Sequence, residues 1–589
     1  MPELVALPNI KSTGKRKIIE FKGYSNRPQI SDGEMREMYN LSSDQYPYLT
    51  QRQPRGYYYE NNYYTHEYGT QKPDTLSVRN DITNILSWKE KLVVIAGNDL
   101  YYNNVKVATL QKTGDKKICG IGNKLCVFPD KIYYDIDTGN LHKLESVHKI
   151  VDTHVMLYTD CIIITHLSTD SNFKVGDAVT INLNFQEKEK KYQRTVATII
   201  KGIMTNGENT IIMVNDNTFT NDENAFGMLN LEPRITIKKS EDNKPINHIN
   251  NSKYLEHVNG FIKRSVPDMD FIVENQNRLW GCKGSTIFSS KLGDPTNFNY
   301  FTSGITNNSA DSYAVSVGSD GDFTGCVSFP SHIVFFKESY IHKLYGGNKP
   351  SSYQITTLEC NGMEKGSHKS GVTVDGVLYY KSPIGIMAYT GDYPVHITSS
   401  FKYRYVNAVA GSDKQKYYIS MKNTATNEWE MFAFDFARKL WHKEDNAHAV
   451  EFAVLNGDLL YLDKKETETG NLSDIRYIIA PSEEQIVKED KKIPWQAVFG
   501  EFDEILENKK IYSKLQLRLT MEKEAELSVW IATDESEWLL VANLKNERKR
   551  SVYIPIIPRR CDKFKIKLEG VGRTRIESLV RLVREGSEV

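Results

Sequence analysis

A strand-hairpin unit recurs through the middle of this chain, and that repeat restricts the possible folds more than any other property of the sequence. Ile85–Leu110 is one copy and Lys117–Leu144 the next; Met269–Asp294, Phe323–Gly347 and Ser367–Asp392 follow. Each copy opens on a short apolar strand and turns through Gly, Asn, Asp or Lys. A second strand follows, often ending on paired aromatics, and then a third. Tyr405–Asp445 and His448–Ile479 extend the series. A single unit of this kind cannot bury its apolar face alone, so units stack on one another. The spacing predicts an all-β protein built on a six- or seven-bladed β-propeller, one unit per blade.

At 589 residues the chain exceeds one ordinary core, so a large closed array or several domains are expected. Lys plus Arg and Asp plus Glu both number 75, giving no net charge. A dedicated nucleic-acid binder usually carries a basic excess, so that class is disfavoured. Zero net charge also leaves little long-range repulsion between copies, which permits self-association. The seven cysteines stand singly, without a CxxC pair, and the histidines show no metal-ligand spacing. Reduced thiols and no metal site are the expectation. The opening residues lack the apolar core of a signal peptide, and no window reaches the roughly 18 apolar residues of a membrane-spanning helix.

The repeat is framed and interrupted. Residues 1–80 read as an extended N-terminal arm, with one short helical turn over Asp32–Asn40. Tyr57, Tyr58, Tyr59, Tyr63 and Tyr64 crowd its end. They either pack the arm onto its own body or form a contact surface for a neighbouring subunit, because Tyr offers large amphipathic area at low entropy cost. Blades occupy 81–148 and resume over 266–480. Between them, 149–265 carries longer strands; Phe173–Ile181, with its Val-Gly-Asp turn and period-two alternation, reads as the entry to an inserted small β-barrel domain. A charged stretch, Pro481–Pro494, leads into 481–589, where six alternating strands predict a C-terminal β-sandwich. Arg559, Arg560, Arg573, Arg575, Arg581 and Arg584 make this end basic. They are a solvated strand face or a surface for a charged neighbour.

No local constellation carries catalytic chemistry. HExxH, GxSxG, a Walker loop and GxGxxG after a strand are all missing from the sequence. The carboxylate-bearing loops Asp170–Asp177, Asn215–Asn224 and Ser319–Asp322 do not match a calcium loop, and Asx turns explain them. Two facing carboxylates from distant blades would suffice for a glycosidase. The expectation is nonetheless a protein that is not an enzyme and holds no cofactor.

Several stretches together resemble the tail hub or nozzle proteins of tailed bacteriophages. They are Phe21–Gly56, Glu274–Phe301 with NRLWG and LGDPTNF, Lys343–Phe401, and Pro558–Ser587. The resemblance covers most of the chain outside 149–265. It implies a structural virion protein, assembled in the host bacterial cytoplasm, that forms a homo-oligomeric ring around the tail axis, with a hexamer favoured. Other tail, adaptor or fibre proteins would be its partners, and double-stranded DNA would pass transiently through the ring. An alternative is a receptor- or glycan-binding protein at the tail tip, stacking sugars on residues such as Trp280 or Trp441, although burial of both against neighbouring blades is the favoured expectation.

Overall fold

The computed structural model describes residues 14–58, 81–165, 172–187, 190–216, 218–219, 233–239, 245–249, 251–301, 309–347, 349–467, 470–504, 509–545 and 550–585. Among them the chain is all-β, its only helices being short 3-10 segments such as Pro350–Ser352. The helical turn expected over Asp32–Asn40 is corrected, since Glu34–Tyr39 is a strand. Its Met35 and Met38 reach the core, and that packing overrides the helix propensity of Glu, Met and Arg. The chain divides into two compact units, Met1–Lys106 with Cys360–Val589, and Val107–Glu359.

Each of the seven windows read as a repeat supplies at least three strands of one four-stranded sheet, and in four of them the remaining strand comes from outside the window. The hairpins follow from their turns. Lys89 and Glu90, Asn103 and Asn104, and Gln276 and Asn277 are consecutive pairs at positive φ. That backbone twist matches the twist of the strands it joins. Inner strands such as Lys91–Ala96 are buried almost throughout, which suits a sheet covered on both faces.

In the first unit, one of these sheets comprises Ala449–Leu455, Asp458–Thr467 and Gly470–Tyr477, and its fourth strand is Gly56–Tyr57 from the far N-terminal side. The same unit holds two larger sheets around one core. The first runs Leu41–Ser42, Leu49–Gln51, Thr574–Glu585, Lys510–Met521, Arg550–Pro555, with Gly14–Ile18 also on Thr574–Glu585. The second runs Gly23–Tyr24, Glu34–Tyr39, Pro494–Phe499, Phe564–Val571, Glu526–Thr533, Leu539–Lys545. Tyr512 of one stacks on Phe564 of the other, ring centres 4.1 Å apart. Residues 14–58 are therefore extended, as expected, but they are strands of this sandwich and of a four-stranded sheet, not a separate arm. Gly23 shows how close the fit is: its φ is +84° and a Cβ there would lie 2.4 Å from the Trp441 carbonyl oxygen.

The second unit contains three four-stranded sheets and a seven-stranded sheet spanning Ser146–Tyr158 to Lys253–Arg264. The latter has its own apolar core, with Val155, Ile181, Ile212 and Ile262. Among the described residues its ladder runs from Lys190–Ile199 to Gly202–Asn206 with no pairing between those two edge strands, so it is an open sheet where a barrel was expected. The LGDPTNF loop anchors it. Asp294 accepts from the Thr296 hydroxyl at 2.7 Å, Asn297 accepts from the Ala178 backbone N–H at 2.8 Å, and Phe298 is buried. Arg264 pairs with the buried Asp177 beside it.

Candidate functional site

The tyrosines singled out in the sequence face inward where they are described. Tyr57 lies opposite Arg476 in the ladder, with the guanidinium 5.3 Å from its ring centre. Tyr58 packs on Tyr477 at 5.7 Å, against a cluster that includes Leu92 and Leu460. Tyr59, Tyr63 and Tyr64 lie outside the described residues. Tyr57 and Tyr58 thus attach the N-terminal stretch to its own chain.

Two arginines just before them hold the same stretch more tightly. Arg52 donates to both Asp490 carboxylate oxygens, at 2.5 and 3.0 Å. Arg55 donates to Glu444 at 2.7 Å, to Asp445 at 3.1 Å and to the Ile478 carbonyl at 2.9 Å. All five side chains are buried. Desolvation would raise the Asp445 pKa, but Arg55 and Arg52 outweigh it and hold the carboxyl below its usual range. Glu444 is pushed up, because burial outweighs the help it receives from Arg55.

The C-terminal arginines divide. Arg581 is buried, donating to Glu504 at 2.9 Å and to Asp32 at 2.8 Å, with Phe502 3.7 Å from its guanidinium. It is not part of a basic surface, correcting that reading. Tyr512 also donates to Glu504, at 3.1 Å, and Arg16 closes the chain at 3.4 Å. Arg16, Asp32 and Glu504 border a cleft with Arg36, Glu501 and Lys563, so acids and bases share its lining. Arg575 lies over Tyr48 at 4.0 Å. Arg559 and Arg560 are exposed.

Beside Arg559 and Arg560 lies the feature that the sequence reading missed. Leu539–Lys545 is the last strand of its sheet and Arg550–Pro555 the last of the other, and the two come together at one end of the sandwich. Leu539 is 53% exposed, Leu540 45%, Tyr553 59% and Ile557 76%. Soluble proteins usually guard such edges with Lys, Pro or a covering segment, because unpaired backbone groups next to apolar side chains recruit another strand. In the sequence the run LLVANL reads as one more strand of the sandwich, with nothing to mark it as an edge.

Trp280 and Trp441 are buried, so neither is available to stack a sugar. The seven cysteines are free thiols. Among the described residues no group of His, Cys, Asp and Glu is arranged to hold a metal ion. No described helix is long and apolar enough to cross a membrane.

No family model and no curated protein matches the chain. Solved structures that resemble it include an exo-β-1,3-galactanase from Phanerochaete chrysosporium, at 11% identity over 52% of this chain and 92% of that one, TM-score 0.20. Trypanosoma rangeli sialidase matches at 8% identity over 98% of this chain and 97% of its own, TM-score 0.21. Porphyromonas gingivalis dipeptidyl peptidase 4 matches at 10% identity over 77% of this chain and 64% of its own, TM-score 0.29. These are enzymes by name, and against them the expectation that the chain is not an enzyme is withdrawn. At such scores the likeness transfers neither a reaction nor a residue.

Proposed function

We propose that this chain is a structural virion protein of a tailed bacteriophage, one copy of a ring (tail hub or nozzle) around the tail axis through which DNA is ejected. The observation that carries this reading is the exposed apolar edge at Leu539–Lys545, with Tyr553 and Ile557 beside it, because such an edge needs a neighbour. The stretches that resemble tail proteins support it. In NRLWG, Arg278 is buried and donates to the Ser290 and Asp311 carbonyls at 2.7 and 2.6 Å, which fixes the chain on either side of LGDPTNF. In this reading the seven four-stranded sheets are the blades of one propeller, the seventh completed by Gly56–Tyr57, and the seven-stranded sheet is its inserted domain. The zero net charge suits a ring that lets DNA pass without holding it.

Electron cryo-microscopy of virions of the phage that encodes this chain tests the reading. Identical copies in a ring on the tail axis are the expected result. Density at fibre ends would favour the receptor-binding alternative, and absence of the chain from purified virions would overturn the reading.

A further inference from the structure

The sandwich has a second free edge, and it is the chemical opposite of the first. Gly14–Ile18 pairs only with Thr574–Glu585 among the described residues. Leu582 faces Lys15 on one side and Lys514 on the other, so Gly14–Ile18 and Lys510–Met521 flank Thr574–Glu585 from opposite sides. Arg550–Pro555 lies beyond Lys510–Met521, next to Leu539–Lys545. The two free edges therefore stand at opposite ends of the sandwich and cannot reach each other within one chain.

Their charges complement each other. Gly14–Ile18 presents Lys15, Arg16 and Lys17, all exposed. Arg16 is paired with Glu504, whereas Lys15 and Lys17 have no ion-pair partner among the described residues. Leu539–Lys545 is preceded by Glu535 and Glu537, exposed and likewise without an ion-pair partner there. Lys545 at the other end of that strand is already 2.7 Å from Glu526. Two copies meeting through their basic edges would set cations against cations, which disfavours that pairing.

We propose that the basic edge Gly14–Ile18 of one copy adds as a strand to the acidic, apolar edge Leu539–Lys545 of the next. Backbone hydrogen bonds join the two sheets, Lys15 and Lys17 lie by Glu535 and Glu537, and Leu539 and Leu540 are covered. Because the two edges differ, each copy keeps one of each free, and the contact propagates head to tail until it closes a ring. This inference rests on the ring reading above and supplies its contact.

Sedimentation velocity on the full chain tests it, with Lys15→Glu/Lys17→Glu, Glu535→Lys/Glu537→Lys, and all four changes together. The unaltered chain is expected to form oligomers larger than a dimer that weaken as salt rises. Each charge-reversed pair lowers the oligomer fraction at least about tenfold. An equimolar mixture of the two variants restores assembly, and so does the fourfold variant, because both then present complementary edges. Unchanged circular dichroism and thermal midpoint establish that the variants fold. Oligomers insensitive to all of these changes overturn the proposal, as does a dimer insensitive to Lys15 and Lys17, which would mean that Leu539–Lys545 pairs with itself. A chain that stays monomeric in low salt also overturns it. If virions show the axial ring while the charge variants assemble normally, this contact is wrong and the ring reading stands. Absence of the chain from virions removes that reading whatever the variants do.

Discussion

Arg52 and Arg55, near the start of the chain, and Arg559 and Arg560, near its end, look alike in the sequence, each pair including an arginine directly after a proline. In the folded protein they are opposites. The first pair is buried in a network with Glu444, Asp445 and Asp490; the second stands exposed beside an unpaired apolar edge. The difference lies in distant partners, since Asp490 is 438 residues from Arg52. Local composition sets how much charge a segment carries, whereas the topology decides whether that charge holds the chain to itself or faces outward.

The largest expected effect tests the buried half of that contrast. Arg55→Ala leaves Glu444 buried without its ion-pair partner and Asp445 with Arg52 alone, a loss of about 3–5 kcal/mol by analogy with other broken buried pairs. Denaturant unfolding measures it; a loss under about 1 kcal/mol would mean that the network is solvated. Gly23→Ala comes next. The left-handed φ and the approach of the Trp441 carbonyl predict a cost of about 1–3 kcal/mol and a lower thermal midpoint.

A pH series probes the interior from another side. Burial, with Lys416 adding to it, pushes the His442 imidazole down to about 3. The unfolded chain takes up that proton near pH 6.5 and the folded chain does not. Stability from this group is therefore complete above pH 6.5 and is lost as pH falls toward 3, at about 1.4 kcal/mol per unit once well below 6.5. Asp445, held down by Arg55 and Arg52, adds a further loss only in stronger acid, below the ordinary carboxylate range. His442→Asn is expected to flatten the upper part of the profile; an unchanged profile would mean that His442 is charged in the fold. The smallest effect lies on the exposed half. Arg559→Ala with Arg560→Ala should change unfolding stability by no more than about 0.5 kcal/mol, as surface substitutions do. A larger loss would place them with Arg52 and Arg55.

The seven hairpin units were legible because each carries its own turn chemistry and its own apolar inner strand. Lys89 with Glu90, or Asn103 with Asn104, needs nothing distant to turn the chain. What could not be read is everything that depends on residues far apart in sequence. Gly56–Tyr57 completes a sheet with Gly470–Tyr477, and Gly14–Ile18 joins Thr574–Glu585. Both lie in a stretch that reads as an extended arm, in which no local pattern names the strand each segment would join. Arg581 sits in a run of surface-like arginines, yet Glu504 and Asp32 draw it inside. The apolar edge was hidden for the converse reason: exposure of Leu539 and Leu540 follows from the end of a sheet order, and no local pattern records that.

The most direct measurement is a cryo-microscopy reconstruction of the virion tail at a resolution that separates strands. The account predicts identical copies in an axial ring, with Gly14–Ile18 of each copy alongside Leu539–Lys545 of the next. A ring whose copies meet elsewhere, with Leu539 and Leu540 left open to solvent, would contradict the edge contact, and a tail without this chain would contradict the whole account.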